Sequence, residues 1–200
     1  MTVIRGSLLH APAWSCLLLV LACGTIGNRD GSEVRGHGDD LRNPLNTSTA
    51  EILVLVFVTS DCPIANRYAP ELTRIYRRYR DESVDFHLVY PDPSLSAGMI
   101  RAHRKEYSLP MPAVRDPRHD LVRLTGATRT PEAAVYRRSG GGFDLAYRGR
   151  IDDRFVDFGK TRASATQHDL DDAIRDILAG REVTTARTRA IGCYLENLLP

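Results

Sequence analysis

The 200-residue chain is poor in several things at once: it has one tryptophan, four cysteines and only 7% aromatic residues. Charge of either sign is not in excess, since 27 Lys and Arg face 25 Asp and Glu. No stretch gathers the basic residues into a stripe, so the electrostatic footprint of a nucleic-acid partner is missing. No apolar run reaches the roughly 20 residues needed for a bilayer-spanning helix. No G-x-G-x-x-G follows the first strand-like segment, which argues against a dinucleotide-binding Rossmann unit, and there is no internal repeat. What remains, 42% hydrophobic and 26% charged, is the composition of a soluble globular protein with one domain and appendages.

Residues 1–23 read as a targeting segment. Arg5 supplies a positive start, and residues 14–23 (WSCLLLVLAC) form an apolar core of secretory length. The segment closes on Val20-Leu21-Ala22-Cys23, which resembles a bacterial lipobox, although Leu21 stands where a smaller residue is usual. Two readings stay open: a cleaved signal peptide with Cys23 incidental, or a lipoprotein anchored to the membrane through a lipidated Cys23. Either way the chain is expected to be exported, periplasmic or membrane-anchored. Cys16 leaves with the signal, so Cys62 and Cys193 are the thiols of the mature domain. In an oxidising compartment such a pair is a structural disulfide, a catalytic couple or two separate thiols.

Residues 24–50 are polar and aperiodic and read as a flexible linker. The Asn46-Thr47-Ser48 sequon within them is too short a signal to assign. Order starts at residues 52–58 (ILVLVFV), a continuous β-rich run suited to a strand buried on both faces. A helical pattern over residues 65–80 follows, with Pro63 in its first turn and a kink expected at Pro70. Then come a strand over 84–90, a helix over 95–107, a short strand over 113–115 and a helical piece over 120–124 ending at Gly126. Strands over 132–137 and 143–148 flank Ser139-Gly140-Gly141-Gly142, a hairpin signal. A last amphipathic helix spans 166–179, with Thr166 as N-cap and Gly180 as stop. This order predicts an α/β domain over residues 51–181: a central, mostly parallel sheet, one antiparallel hairpin strand, and flanking helices, as in the thioredoxin-like fold. Residues 182–200 form a tail carrying Cys193.

Cys62 lies where a buried strand gives way to a helix. Unpaired N–H groups and the positive end of the helix dipole favour a thiolate there, and a thiolate is the form that attacks a disulfide or a peroxide. The competing reading is an inert cysteine packed as a small hydrophobe. Thr59 is spaced to bring a hydroxyl near the sulfur. Thr130-Pro131, entering the strand over 132–137, marks either an edge-strand start or a cis-proline turn. In the second case the backbone at Thr130 and Pro131 is open to an extended substrate.

The segment Phe57-Val58-Thr59-Ser60-Asp61-Cys62-Pro63 resembles the active-site stretch of the thioredoxin-like superfamily, and Gly126-Ala127-Thr128-Arg129-Thr130-Pro131 resembles its cis-proline loop. With Cys62-Pro63-Ile64-Ala65-Asn66, Gly149-Arg150-Ile151-Asp152-Asp153-Arg154 and Ala190-Ile191-Gly192-Cys193, the chain is similar to bacterial exported redoxin-domain proteins of the alkyl hydroperoxide reductase/thiol-specific antioxidant kind. The resemblance implies a thiol oxidoreductase with antioxidant activity, no cofactor, and a protein thiol or disulfide, or a hydroperoxide, as partner. It has two departures. Ala65 replaces the second cysteine of Cys-x-x-Cys. Leu55 replaces the proline of Pro-x-x-x-Thr-x-x-Cys, whose second half survives as Thr59 and Cys62. By the same resemblance Arg129 is a candidate to approach the thiolate, the alternative being a solvated loop arginine. Cys193 is the candidate resolving thiol. The rival for the two cysteines is copper or zinc handling with His103, His119 or His168, none of which has ligand-like spacing, so the histidines are expected at the surface. Asp152 and Asp153 are expected to end a hairpin strand. A non-catalytic binding module on the same fold is the third reading.

Overall fold

The computed structural model describes residues 43–195; the expected targeting segment, most of the linker and the last five residues lie outside them. In chain order the elements are α1 (Pro44–Thr47), β1 (Ile52–Phe57), α2 (Pro63–Arg67), α3 (Ala69–Tyr79), β2 (Val84–Tyr90), α4 (Ala97–Glu106), β3 (Ala113–Arg115), α5 (Asp120–Thr125), β4 (Arg129–Thr130), β5 (Glu132–Ser139), β6 (Gly142–Gly149), β7 (Phe155–Asp157), β8 (Lys160–Thr161), α6 (Asp169–Leu178) and β9 (Cys193–Tyr194). The main sheet has the order β3-β2-β1-β5-β6. β1, β2 and β3 pair in parallel, while β5 runs antiparallel to both β1 and β6. One strand of five is therefore reversed, which is the thioredoxin-like arrangement.

β1 is central, and all six of its residues are buried. Alternation of side chains splits them between the two faces. Ile52, Val54 and Val56 join a large apolar cluster with Leu72, Ile75, Ile174 and Tyr147, whereas Leu53, Leu55 and Phe57 join a second one with Leu121, Val122, Ala127 and Tyr136. A fully buried Leu or Ile stabilises the fold by about 1.5–3 kcal/mol, so a strand with no polar face belongs only between two covered layers.

The long helix expected over 65–80 is divided at Tyr68 into α2 and α3, with Pro70 in the first turn of α3. Proline has no N–H to offer the preceding turn, and the chain resolves this by starting a new helix rather than bending one. α6 begins at Asp169, not near residue 166. Thr166 caps nothing; its N–H and hydroxyl both bond the Asp153 carboxylate, at 2.7 and 2.5 Å. Residues 43–50, expected to belong to the flexible linker, are folded onto the domain. Asn43 caps α1, Leu45 packs on the second cluster, and the Arg138 guanidinium holds the Ser48 and Ala50 carbonyls.

Candidate active site

Cys62 is the N-cap of α2 and is fully buried. Its sulfur accepts the Ala65 N–H at 3.5 Å, and its S–H donates to the Thr130 carbonyl at 3.1 Å. Pro63, which lacks an N–H, occupies the first turn. The Thr59 hydroxyl meets the Thr130 hydroxyl at 3.3 Å rather than the sulfur; its link to Cys62 is through the backbone, where Cys62 N–H donates to Thr59 O at 3.4 Å. The Thr130–Pro131 peptide bond is cis.

The tail arrives at the same place. β9 pairs antiparallel with β4, Cys193 opposite Thr130 and Tyr194 opposite Arg129. Cys193 is thereby set beside Cys62, whose thiol bears on its titration. The Cys193 thiol is pushed up to about 12 by burial, by the neighbouring Cys62 side chain and by the negative charge that Cys62 carries when ionised, with Asp61 adding to it. Both cysteines are free.

Arg129 does not reach the thiols. Its neighbour Thr130 turns its side chain toward Thr59, so strand alternation sends Arg129 the other way. There the guanidinium lies 3.9 Å from the centre of the Tyr194 ring, donates to the Tyr194 hydroxyl at 2.7 Å and to Gly192 O at 3.4 Å. Among the described residues no bond from Arg129 to Cys62 occurs.

Two of the three histidines depart from the expected surface position, and the third keeps it. His103 and His119 are buried, and His168 is exposed. His119 bonds Pro91 O at 2.9 Å. His103 lies between the Tyr90 hydroxyl and Asn66 Oδ1, each at 2.9 Å. Burial raises the Tyr90 pKa and lowers that of His103. The phenol therefore keeps its proton and donates it to Nδ1, which puts the ring hydrogen on Nε2, facing Asn66. Asn66 Nδ2 in turn donates to Ser60 O at 3.0 Å. A one-way series of hydrogen bonds runs from β2 to the loop that presents Cys62. The sequence offered a weak sign of it, Asn66 four residues after Cys62, and no sign of its partner.

Glu132 is the other residue whose role was hidden. Its buried carboxylate accepts the N–H groups of Thr128 at 2.8 Å and Arg129 at 3.1 Å and pairs with Arg148, shaping the loop before Pro131. Asp152 and Asp153, expected to end a strand, are buried ties for the loop after β6. Asp152 accepts the Tyr68 hydroxyl at 2.6 Å, and Asp153 holds Thr166 and the Gln167 N–H. Among the described residues, one group of three side chains has metal-ligand spacing, Glu71, Asp152 and His168, and it contains neither cysteine.

Residues 37–140 match the model of the AhpC/TSA family. The chain belongs to that family. The matched AhpC/TSA segment contains Thr59, Cys62, Thr130 and Pro131, and Cys193 lies beyond it. Two solved structures are similar over three-quarters of the chain. A hypothetical protein from Sinorhizobium meliloti aligns with a TM-score of 0.63 and 23% identity, over 74% of this chain and 80% of its own. An uncharacterized conserved protein from Geobacillus kaustophilus does so with a TM-score of 0.63 and 21% identity, over 75% and 79%. No curated protein matches in sequence.

Proposed function

We propose that this AhpC/TSA-family protein is an exported thiol oxidoreductase in which Cys62 is the nucleophile and Cys193 the resolving thiol. The observation that carries the reading is the meeting of the two sulfurs, brought about by the β4–β9 pairing opposite Thr130. In the first step the Cys62 thiolate attacks one sulfur of a disulfide; that S–S bond breaks, and the other sulfur leaves with the electron pair. With a hydroperoxide it attacks the terminal oxygen instead, the O–O bond breaks, and the alcohol leaves, taking a proton while Cys62 becomes a sulfenic acid. In the second step the Cys193 thiolate attacks the Cys62 sulfur and expels the substrate thiolate or, from the sulfenic acid, water. The substrate gains two electrons and the cysteine pair loses two, and an outside dithiol resets it.

The environment of Cys193 times this sequence. Its proton is held while Cys62 is an anion, and the hold weakens once the Cys62 sulfur is neutral in a mixed disulfide or sulfenate. The Thr130 carbonyl accepts the Cys62 S–H hydrogen bond in the resting state, and Thr59 and Pro131 support that loop. Arg129 serves the tail rather than the thiolate.

A copper-handling reading is favoured by the same convergence of two sulfurs, but among the described residues no histidine joins them as a third ligand. His103 and His119 are engaged elsewhere, and His168 stands beside Glu71 and Asp152. Export rests on residues 1–23, and lipidation at Cys23 would anchor the domain to a membrane. Turnover of insulin disulfides and of cumene hydroperoxide, with dithiothreitol as reductant, tests the proposal. Activity with either that is lost in Cys62→Ser supports it; inactivity with both, or activity that survives Cys62→Ser, leaves a metal carrier or a binding module.

A further inference from the structure

The tail occupies the strip of chain where Cys62 would meet an incoming cysteine, and it does so as an extended strand. Each of its residues reports on the surface beneath it. Gly192 is packed so closely on Thr130 that a Cβ there would lie 1.9 Å from the Thr130 carbonyl oxygen and 2.6 Å from its carbon. No side chain fits at that position. Cys193 follows, opposite Thr130, with its sulfur at Cys62. Tyr194 then lies against the Arg129 guanidinium, ring and hydroxyl both engaged, while remaining 47% exposed. Leu195 donates its N–H to Thr128 O at 3.0 Å and enters the second apolar cluster with Leu121, Val122 and Ala127, only 3% exposed.

The features that accept these four residues belong to the domain and not to the tail: a carbonyl that excludes a side chain, a thiol, a guanidinium and an apolar slot. We infer that they form a recognition groove for an extended peptide of the pattern glycine–cysteine–aromatic–aliphatic, which the protein's own Gly192–Leu195 strand fills when no substrate is bound. The inference rests on Cys62 being the nucleophile and narrows its substrate from any disulfide or peroxide to a cysteine held in such a segment. The backbone pairing supplies affinity without regard to sequence, and the three flanking positions supply choice. Tail and substrate take turns. The substrate strand, its cysteine in a disulfide, displaces β9. The Cys62 thiolate attacks that cysteine sulfur, the disulfide breaks, and its other sulfur leaves with the electron pair. The returning tail then brings the Cys193 thiolate onto the Cys62 sulfur, which expels the substrate thiolate and leaves a Cys62–Cys193 disulfide.

The test uses the full chain carrying Cys16→Ser, Cys23→Ser and Cys193→Ser, so that Cys62 is the reacting thiol. The probes are hexapeptides of the tail sequence Ala-Ile-Gly-Cys-Tyr-Leu, with the cysteine joined by a disulfide to nitrothiobenzoate. Attack by Cys62 breaks that bond and releases the coloured thiolate with the electron pair. Replacing the glycine by valine should slow release by at least about tenfold, and replacing the tyrosine by alanine by several-fold. Arg129→Ala should erase the tyrosine effect and keep the glycine effect. Equal rates for all the peptides, with Ellman's reagent still reacting at Cys62, would overturn this inference alone. Failure of Cys62 to react with Ellman's reagent as well would overturn the oxidoreductase reading and this one with it. Should Cys193→Ser not fold, the wild-type chain gives the same ranking of colour release.

Discussion

Cys193 stands opposite Thr130 in an antiparallel pair, and Thr130 is the residue whose carbonyl receives the Cys62 thiol. One backbone position thus fixes both sulfurs. Oxidation of the protein should accordingly yield a Cys62–Cys193 disulfide within one chain. Peptide mapping after treatment with one equivalent of oxidant should find that cross-link, and linkage of either cysteine to a second chain instead would contradict the pairing.

The Cys193 thiol, raised to about 12 by burial and by Cys62, should be slow to alkylate at neutral pH, with a rate that climbs until the medium approaches that value. In Cys62→Ala two of the causes vanish and burial remains, so the climb should move to lower pH. An unchanged profile in the variant would show that the two thiols do not share their titration.

Removing the Asn66 amide leaves Ser60 O and His103 Nε2 without a partner. An orphaned buried polar group costs about 1–3 kcal/mol. Asn66→Ala should lower stability by about that much in urea unfolding and slow the reaction of Cys62 with Ellman's reagent. Tyr90→Phe, which strips the other end of the same series, should reproduce the loss of stability. Full reactivity in both variants would mean that the series holds the fold but not the loop.

Much of this was readable beforehand, and the limits have physical causes. β1 declared itself because a strand covered on both faces must be apolar throughout, and the place of Cys62 at a helix start because cysteine and proline follow that strand within a few residues. Glu132 and His103 did not. A buried carboxylate or imidazole is tolerated only where partners distant in sequence converge on it, and neither Arg148 nor Tyr90 announces which residue it will meet. Arg129 was misplaced because adjacent residues of a strand face opposite ways, and which of them faces the thiol is fixed by Thr130 meeting Thr59.

The tail is seated by close approach at a second point. A Cβ on Gly149 would lie 2.0 Å from Thr188 Oγ1 and 2.6 Å from Thr188 O. Gly149→Ala should therefore push residues 186–195 away from the domain. The expected signs are faster amide exchange in that segment and faster modification of Cys62, whose cover includes Cys193. Leu195→Ala should do the same from the other end, at a cost of about 2–5 kcal/mol for the lost core side chain. Unaltered exchange in both variants would mean that the tail is held by β9 alone.

Acid should weaken the loop after β6. Although burial pushes the Asp153 carboxyl up, hydrogen bonds from Thr166 and Gln167, with Arg162 nearby, hold it well below the usual range. A depressed folded value stabilises the protein above the unfolded value of about 3.9, and that stability is lost as the pH falls below it. The urea midpoint of the wild-type chain should drop over that interval, and Asp153→Asn, weaker at neutral pH, should show less of the drop. Parallel curves for the two would remove Asp153 from the acid response.

The order of synthesis gives the β4–β9 pairing one more meaning. Cys62 is made long before Cys193, so every nascent chain passes through a period in which the nucleophile exists without its partner or the strand that lies over it. If Cys62 is the proposed nucleophile, a chain that stops short of Gly192 carries the inferred groove open and that sulfur unmatched, free to form a lasting mixed disulfide with the first suitable disulfide it meets. On the mechanism proposed above, synthesis of Gly192–Leu195 is thus what converts a one-way trap into a centre that can release what it captures.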